Sequence, residues 1–492
     1  MSSYIIALDQ GTTSSRAVLI DEKAQIVGIE QLAFTQYFPE AGWVEHDAQE
    51  IWESQQKVLL RLIEKHKIAP TAIKAIGITN QRETTILWDK KTSQPIAKAI
   101  VWQDRRTADF CTQLKEEGWE SYIQQSTGLI VDAYFSATKV HWLLENIPNA
   151  KEKAQKGELC FGTVDTWLLW KLTEGRSHYT DHTNASRTML YDIRKLQWDT
   201  KLLEKFDIPT SLLPEVKPSR ADFGYWQYEG HAIPILALAG DQQAALFGQF
   251  CWEKGTAKNT YGTGCFILMN VGETAPFSYE GLVTTLACGL NETPLYALEG
   301  SIFIAGAAIQ WLRDSLHLID NAEDADYFAQ KAPEDHQVYF VPAFVGLGAP
   351  HWDMYARGAL YGLTRDSDKN TIIRAALESI AYQTRDVLEA MRRDTQILLS
   401  HLKVDGGASK SNFLMQFQAD ILNKEVIRTQ TPESTALGVA YLAGLQAQLW
   451  TPNELIKNYN NTNKVFSPTQ RSDWRSLKYR GWKKAIKKTK TK

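Results

Sequence analysis

The stretch IPILALAGDQQAALFG, residues 233–248, predicts the fold class of this chain. Residues 233–239 are almost wholly apolar, as in a short strand that is buried on both faces. Gly240 ends this run, and residues 242–247 have the pattern of a helix start. The Asp241 carboxylate is therefore predicted at a strand-to-helix junction, where open α/β sheets bind ligands. It could instead serve only as the helix N-cap, and the two roles are compatible.

A second junction with a carboxylate lies near the N-terminus. Residues 4–20 predict a β-hairpin whose two strands are joined by a turn rich in Gly, Thr and Ser, residues 11–15. Gly11 allows a ligand close to the backbone, the hydroxyls and N–H groups can surround an anion, and Arg16 adds a positive charge. A plain hairpin fits the same pattern. With Asp9 in front of the turn, the arrangement also suits a magnesium nucleotide.

Polar side chains also follow the predicted buried strand at residues 75–79. Residues 80–84 are Asn-Gln-Arg-Glu-Thr, at the end of a strand where ligands bind. Arg82 and Glu83 could form a structural ion pair. They could equally hold a polyhydroxylated substrate, since a guanidinium donates to hydroxyls and a carboxylate accepts from them. The residues alone leave both interpretations open.

Several other features have an ordinary structural interpretation. Trp102 and Tyr134 have the character of core aromatic residues. The polar runs at residues 162–167 and 183–187 lie beside apolar segments and resemble turns.

The second half of the chain repeats the first pattern. Residues 260–265 form another turn rich in Gly and Thr before a predicted strand, 266–269, which suggests an internal duplication. Residues 300–316 predict a helix that contains Gly306. Because glycine lowers helix stability, we expect another group to approach its backbone closely.

Three further segments complete the prediction. Residues 370–391 form a long amphipathic helix that Asn370 or Thr371 could cap. Residues 402–408 predict a strand followed by two glycines, and a helix from about Asn412. The last helix is predicted from about residue 435 to 449.

Composition limits the class of protein. With 492 residues and a net charge of −3, we expect two or three domains and no general nucleic-acid-binding surface. The five scattered cysteines match neither a disulfide framework nor a zinc site. We expect no membrane insertion and a cytoplasmic protein, because no apolar run is long enough to span a bilayer and no signal peptide is evident. The basic residues 480–492 are predicted to form a solvated, frayed tail.

Six motifs together carry a family resemblance. They are LDQGTTSSR (8–16), NQRE (80–83), YFSATKVHWLLEN (134–146), AGDQQAALFG (239–248), YGTGC (261–265) and VDGGA (404–408). In this order they resemble the FGGY carbohydrate kinase family, and the resemblance extends from residue 4 to about 482. The P-loop pattern G-x-x-x-x-G-K-[ST] is absent, so the sequence does not predict a P-loop kinase.

The resemblance implies an α/β fold with two actin-like (ribonuclease H-like) ATPase domains around a central cleft. Residues 1–250 would bind polyol and phosphate, and residues 251–492 would bind the nucleotide.

The resemblance also implies roles for individual residues. The residues expected at the nucleotide are Thr12, Thr13, Ser14, Arg16, Thr263, Gly306, Gln310, Gly407 and Ser411. Those expected at the polyol are Arg82, Glu83, Trp102, Tyr134, Asp241, Gln242 and Phe266. Asp9 and Asp241 would lie near Mg²⁺, and Asp241 would be the general base. Two positions depart from the family pattern: Thr371 stands where a His, Asn or acid is usual, and Ser411 stands where an Asn is frequent.

The implied activity is ATP-dependent phosphorylation of glycerol to sn-glycerol 3-phosphate, in glycerol catabolism. Two alternatives are also compatible with the sequence: a family member that acts on a sugar such as xylulose, and a non-catalytic actin-like nucleotide-binding protein. A homodimer or homotetramer is the expected assembly.

Overall fold

The computed structural model describes residues 2–291, 293–429, 433–459 and 464–491. The strands in chain order are β1 Tyr4–Gln10, β2 Ser14–Asp21, β3 Ile26–Ala33, β4 Glu45–His46, β5 Ile73–Asn80, β6 Ile86–Asp89, β7 Ala99–Ile100, β8 Leu159–Gly162, β9 Tyr179–Asp181, β10 Tyr191–Asp192, β11 Gln197–Trp198, β12 Glu215–Lys217, β13 Tyr225–Tyr228, β14 His231–Gly240, β15 Ala257–Tyr261, β16 Cys265–Gly272, β17 Val283–Ala287, β18 Leu295–Ile302, β19 Tyr339–Val341, β20 Ala359–Tyr361, β21 Leu402–Asp405, β22 Val426–Arg428 and β23 Lys464–Phe466.

The α-helices are α1 Ala48–His66, α2 Ala108–Glu116, α3 Glu120–Thr127, α4 Ser136–Asn146, α5 Ala150–Gln155, α6 Val164–Leu172, α7 His182–Ala185, α8 Thr200–Lys205, α9 Asp241–Gly248, α10 Gly306–Asp314, α11 Asp324–Lys331, α12 Lys369–Thr395, α13 Asn412–Leu422, α14 Ser434–Gln446, α15 Pro452–Tyr459 and α16 Ser472–Thr489. Short 3-10 helices cover Pro70–Ala72, Thr210–Leu212 and Gly407–Lys410. The predicted α/β class is confirmed.

The chain forms two compact units, each assembled from separate segments. The first consists of Met1–Phe250, Thr284–Tyr296 and Glu433–Asn461. The second consists of Cys251–Val283, Ala297–Pro432 and Thr462–Lys492. The division of substrate binding between residues 1–250 and 251–492 stays a prediction.

The first unit is built on a sheet with strand order β13-β14-β5-β1-β2-β3. β1 pairs antiparallel with β2 as the predicted hairpin, and β1, β5 and β14 run parallel. The apolar run before Asp241 belongs to β14, where residues 237–240 are buried and positions further upstream alternate between buried and partly exposed. The carboxyl ends of three adjacent parallel strands consequently meet at one edge of this sheet.

Two helices show how the sheet of the first unit is covered. The amphipathic α1 begins after Asp47, whose carboxylate caps the N–H groups of Gln49 and Glu50. α14 packs on α9 and on β1, β5 and β14. Its approach to α9 is very close, because a Cβ on Gly438 would lie 1.8 Å from the Ala244 carbonyl oxygen. Small residues are therefore required where these two helices meet.

The second unit contains neighbouring strands of a second sheet in the order β18-β16-β15-β21-β22-β23. β15 pairs antiparallel with β16 and parallel with β21, as β1 does with β2 and β5. The predicted repeat of the hairpin is therefore present in the structure.

Several predicted helix positions in the second half are wrong. Residues 300–302 belong to β18, and Gly306 is the first residue of α10 rather than an interior residue. The long helix α12 is capped by Asp368, which accepts a hydrogen bond from the Thr371 N–H, and not by Asn370 or Thr371.

The C-terminal segment also differs from the prediction. α14 is not the last helix, since α16 extends over Ser472–Thr489 and is ordered rather than frayed. Trp482 and Ile486 are buried on one side of α16, which explains why a lysine-rich segment forms a stable helix. Lys492 lies outside the described residues.

Candidate active site

The candidate site in the first unit starts where β1, β5 and β14 end. In the strand register, Gln10 and Gly240 both lie beside Asn80 on β5. Asp9 is next to Gln10 and Asp241 follows Gly240. The parallel topology therefore brings the two predicted carboxylates and the Asn-Gln-Arg-Glu-Thr run to the same edge of the sheet.

Arg82 connects the two substrate-binding acids that the sequence predicts. Its Nε lies 3.2 Å from Asp241 Oδ1 and 3.8 Å from Glu83 Oε1. Gly240 makes room for the guanidinium stem, since a Cβ at this position would lie 2.7 Å from Arg82 Cδ. The structure thus brings together a fixed cation and two carboxylates, the set that can bind and deprotonate a hydroxyl compound.

Asp241 differs from its neighbours in exposure. Its side chain is 31% exposed, whereas the side chains of Arg82 and Glu83 are 2% and 1% exposed. The helix cap at this junction is Gly240, and Asp241 is the first residue of α9. The Asp241 carboxylate accepts a hydrogen bond from the Gln242 N–H at 2.7 Å. A role limited to capping does not account for its contact with Arg82.

Asp9 lies in a buried position with charged groups on several sides. Burial raises the pKa of Asp9 to about 7, the positive charge of Arg16 opposes this rise, and the negative charges of Glu433 and Asp241 add to it. Arg16 Nη1 lies 2.7 Å from Glu433 Oε2, so this predicted phosphate contact pairs with a carboxylate.

The other residues predicted around the first turn occupy different environments. The Thr12 hydroxyl accepts a hydrogen bond from Trp102 Nε1 at 3.0 Å, so the turn and the predicted polyol wall are directly linked. Thr13 is exposed, and the buried Ser14 hydroxyl accepts from Gln31 Nε2 at 3.0 Å. The rings of Trp102 and Tyr134 meet edge to face with centroids 5.5 Å apart. The Thr12–Ser14 turn therefore presents polar groups at the candidate site, and Trp102 and Tyr134 present aromatic rings.

In the second unit, the predicted nucleotide residues Thr263, Gly306 and Gln310 lie around one turn. The carbonyl oxygens of Gly262 and Thr263 accept hydrogen bonds from the Gly306 N–H at 3.0 Å and the Ala307 N–H at 3.1 Å. A Cβ on Gly306 would be 2.5 Å from the Gly262 oxygen, so the close approach predicted at this glycine is present and the hairpin turn is its partner. Gln310 lies one helical turn further along α10 and is exposed.

Gly407 and Ser411 follow β21, next to the same hairpin. Gly407 is exposed, and a Cβ there would meet no atom within 4 Å, so its backbone can be approached. The Ser411 hydroxyl instead caps α13 through the Leu414 N–H and donates to Asp326. Phe266 lies on β16 opposite Thr260 and is partly exposed. The contacts of all three with ligands stay predictions.

Sequence reasoning missed three buried residues of the first unit: Lys139, Arg187 and Gln243. Lys139 donates to the Tyr134 carbonyl at 2.6 Å, and burial lowers its pKa to about 8 although Glu83 opposes this shift. Gln243 accepts from Arg82 Nη1 at 3.2 Å. Lys139 and Gln243 lie within two of the family motifs, residues 134–146 and 239–248, and Arg187 lies within a polar, turn-like run, but none of the three was given a role.

Comparisons with known proteins agree with this arrangement. The model of the FGGY family of carbohydrate kinases, N-terminal domain, matches residues 4–248, and that of the C-terminal domain matches residues 257–447. The chain belongs to the FGGY family of carbohydrate kinases. The predicted family is therefore confirmed.

Among curated FGGY kinases, similar proteins include the glycerol kinase of Fusobacterium nucleatum, 59% identical over 99% of both chains. The glycerol kinase of Halorhodospira halophila is 58% identical over 99% of this chain and 96% of its own. Among solved structures, Plasmodium falciparum glycerol kinase with ADP has a TM-score of 0.93 at 39% identity, covering 99% of this chain and 98% of its own. Lactobacillus acidophilus gluconate kinase, with a TM-score of 0.89 at 22% identity over 99% and 97%, shares the fold.

Proposed function

We propose that this FGGY kinase is a glycerol kinase that transfers the γ-phosphoryl group of ATP to glycerol and forms sn-glycerol 3-phosphate. The observation that carries the proposal is the Asp241–Arg82–Glu83 group at the edge of the first sheet. The 59% identity to a curated glycerol kinase over nearly the whole chain supports glycerol as the substrate. A role in glycerol catabolism follows from that reaction.

Each member of this group has a distinct part in the proposed reaction. Arg82 donates to a glycerol hydroxyl and Glu83 accepts from one, so the small substrate is held in a fixed orientation. Asp241 accepts the proton of the attacking hydroxyl as the phosphoryl group is transferred. Trp102, Tyr134 and Phe266 provide apolar surface for the carbon chain, and Gln242 adds a polar contact.

The phosphate contacts are proposed for the Thr12–Ser14 turn and Arg16. Because Arg16 pairs with Glu433 at 2.7 Å, nucleotide phosphates have to compete with this carboxylate for the guanidinium. In the second unit, Thr263, Gly306, Gln310, Gly407 and Ser411 are the proposed nucleotide contacts.

The donors present also suit Mg²⁺. In the described ranges there is no cluster of three or more His, Cys, Asp or Glu side chains that could enclose a metal ion. Mg²⁺ commonly takes only one or two carboxylates and completes its shell with water and substrate phosphates. Asp9 and Asp241 are the proposed carboxylates, and the ion would supply charge compensation on the phosphates.

The proposed compartment is the cytoplasm. All five cysteines are buried free thiols, which suits a reducing environment. No helix in the part of the chain that the structure covers has the length and apolar character needed to cross a membrane. A homodimer or homotetramer stays a prediction that sedimentation analysis can check.

The deciding experiment measures ADP release from MgATP with glycerol, xylulose, ribulose, gluconate or no acceptor. We expect release with glycerol and little without an acceptor. Release with a sugar alone would keep the kinase chemistry and overturn the substrate. No ADP release with any of these acceptors, together with filament formation in ATP, would favour a non-catalytic actin-like protein.

A further inference from the structure

Arg187 is a buried cation beside the candidate substrate site. Its side chain is fully buried, and its Nε donates to Glu83 Oε1 at 2.5 Å. The guanidinium also lies over the rings of Tyr134, at 5.6 Å, and Phe135, at 5.2 Å. It therefore contacts both a carboxylate and an aromatic side chain that are proposed to meet the polyol.

The segment that carries Arg187, residues 181–187, is fixed to two of the strand ends at the site. The side-chain amides of Asn184 and Asn80 exchange hydrogen bonds of 3.0 and 3.1 Å, next to the Arg82–Glu83 pair that follows β5. The Thr183 hydroxyl accepts from the Gly240 N–H at 2.9 Å, directly before Asp241. The segment is thus connected to the polyol-binding acid and to the proposed base.

Glu83 needs such support for two physical reasons. Its backbone has φ +63°, a left-handed conformation that is unfavourable for a residue with a side chain. Its carboxylate is almost fully buried, and a buried charge is tolerated only when it is paired and hydrogen-bonded. Arg82 is shared between two acids, because its Nε lies 3.8 Å from Glu83 Oε1 and 3.2 Å from Asp241 Oδ1.

We infer that Arg187 is a positioning residue that orients the Glu83 carboxylate toward the polyol and thereby sets the affinity for this substrate. Arg187 itself does not contact the reacting atoms. The inference rests on the proposed function, because it assumes that Glu83 accepts a hydrogen bond from the substrate.

The test compares Arg187→Met and Arg187→Lys with the unaltered enzyme. For Arg187→Met we expect the glycerol KM to rise about tenfold or more, while the ATP KM changes by less than about twofold and kcat by only a few-fold, because the base and the phosphate contacts are retained. Arg187→Lys keeps the charge without the planar guanidinium, so it should restore part of the glycerol affinity. Equal increases in both KM values, or no increase in the glycerol KM, would overturn the inference.

A matched control separates positioning from general destabilisation. Arg374 also forms a nearly buried ion pair, since its Nε lies 2.8 Å from Glu378 Oε1. Unlike Arg187, Arg374 belongs to the second unit. Arg374→Met should lower thermal stability and leave the glycerol KM unchanged. A glycerol KM raised equally in Arg374→Met would assign the Arg187 effect to loss of stability and refute positioning.

A comparison of a double variant with Glu83→Gln keeps the test valid if Arg187→Met does not fold. Glu83→Gln combined with Arg187→Gln removes both buried charges, so neither remains unpaired. The Arg187 substitution should add little to the glycerol KM of Glu83→Gln if it acts through that carboxylate. Additive effects would contradict this route. If the unaltered protein phosphorylates another polyol, the proposed substrate fails, and the same comparisons with that polyol still test Arg187.

Discussion

At the scale of the single residue, Arg82 contacts two acidic side chains, Asp241 and Glu83, whose proposed roles can be tested separately. Asp241 is partly exposed while Glu83 is buried, so Asp241 is the more accessible of the two carboxylates for proton transfer. Substitutions that keep shape and change charge can therefore distinguish proton transfer from substrate binding.

Asp241→Asn should lower kcat by at least about a hundredfold, within the range for loss of a general base. Glycerol binding should change much less, because the amide oxygen can still accept from Arg82 and from the Gln242 N–H. Steady-state ADP release and calorimetric glycerol binding measure the two effects. Asp222→Asn, which alters an exposed carboxylate, is the matched control and should have no effect. Nearly unchanged turnover in Asp241→Asn would refute the base assignment.

Gly240→Ala tests the packing of Arg82. The new Cβ would lie 2.7 Å from Arg82 Cδ, so the Arg82 side chain has to shift from its present position. We expect a glycerol KM raised about tenfold and an ATP KM that stays within about twofold. Initial-rate kinetics with each substrate varied in turn check this, and a change confined to ATP would place Arg82 away from the polyol.

Whether a site residue could be predicted depends on how far away in the sequence its partner lies. Asp241, Arg82 and Glu83 were singled out because each follows an apolar strand, which is a local pattern, and the family resemblance supplied their roles. Arg187 was missed because its partner Glu83 is 104 positions away, and pairing over such a distance leaves no local signature. The hydroxyl of Ser411 likewise bonds to Asp326 on another helix, which the composition of either segment does not indicate.

At the scale of the secondary-structure element, α12 and α16 are joined by buried polar groups in the second unit. Lys478 and Trp482 come from α16, whereas Glu378 and Asp386 come from α12. Trp482 Nε1 donates to Asp386 Oδ2 at 2.7 Å, and its ring stacks on Tyr382 at 5.3 Å. The lysine-rich composition concealed this interface, and for that reason the sequence predicted a frayed tail.

Trp482→Phe should destabilise the second unit by about 1–3 kcal/mol, the cost of removing a hydrogen bond from a buried carboxylate. The aromatic stacking on Tyr382 is retained, so the loss measures chiefly the hydrogen bond to Asp386. Denaturant unfolding followed by circular dichroism gives the change in free energy. The glycerol KM should stay the same, and a change in it would mean that α16 influences the site.

Glu378 gives α12 a pH-dependent contribution to stability. Burial alone would raise its pKa, but the hydrogen bond from His336 and the positive charges of Lys478, His336 and Arg374 prevail and lower it from 4.5 to about 2. Since the unfolded state binds the proton first, the contribution is complete above about pH 4.5 and is lost as the pH falls toward 2.

Glu378→Gln should consequently be less stable than the unaltered protein at pH 7, and the difference should shrink as the pH falls below 4.5. Urea unfolding at several pH values measures it. A difference that is independent of pH across this range would show that the charge of Glu378 does not contribute.

At the scale of the whole molecule, all five cysteines are buried and free. Burial raises the pKa of each thiol, to about 11 for Cys160 and Cys251 and about 12 for Cys111. Because the thiolate is the reactive form, an aromatic disulfide reagent at pH 8 should label the native protein very slowly and all five sites after unfolding. Absorbance of the released thiolate follows the reaction, and rapid labelling of one site in the native protein would contradict its burial.

Sequence patterns were sufficient for the overall class because both hairpins, the strand before Asp241 and the long α12 are strongly periodic. They did not indicate which segments, distant from one another in the sequence, pack together in the structure. Close backbone contact between α14 and α9 depends on Gly438 and Ala244, and glycine and alanine are too common to mark such a contact.

The return of residues 433–461 to the first unit affects how the protein is made. Between Phe250 and Glu433 the ribosome adds roughly 180 residues, which at about 5–20 residues per second takes on the order of ten to forty seconds. During this interval the surfaces of α9, β5 and β14 that α14 covers have no partner within the nascent chain. The first unit therefore stays incomplete until residues 433–461 have been synthesised, and chaperones have a defined period in which to hold it.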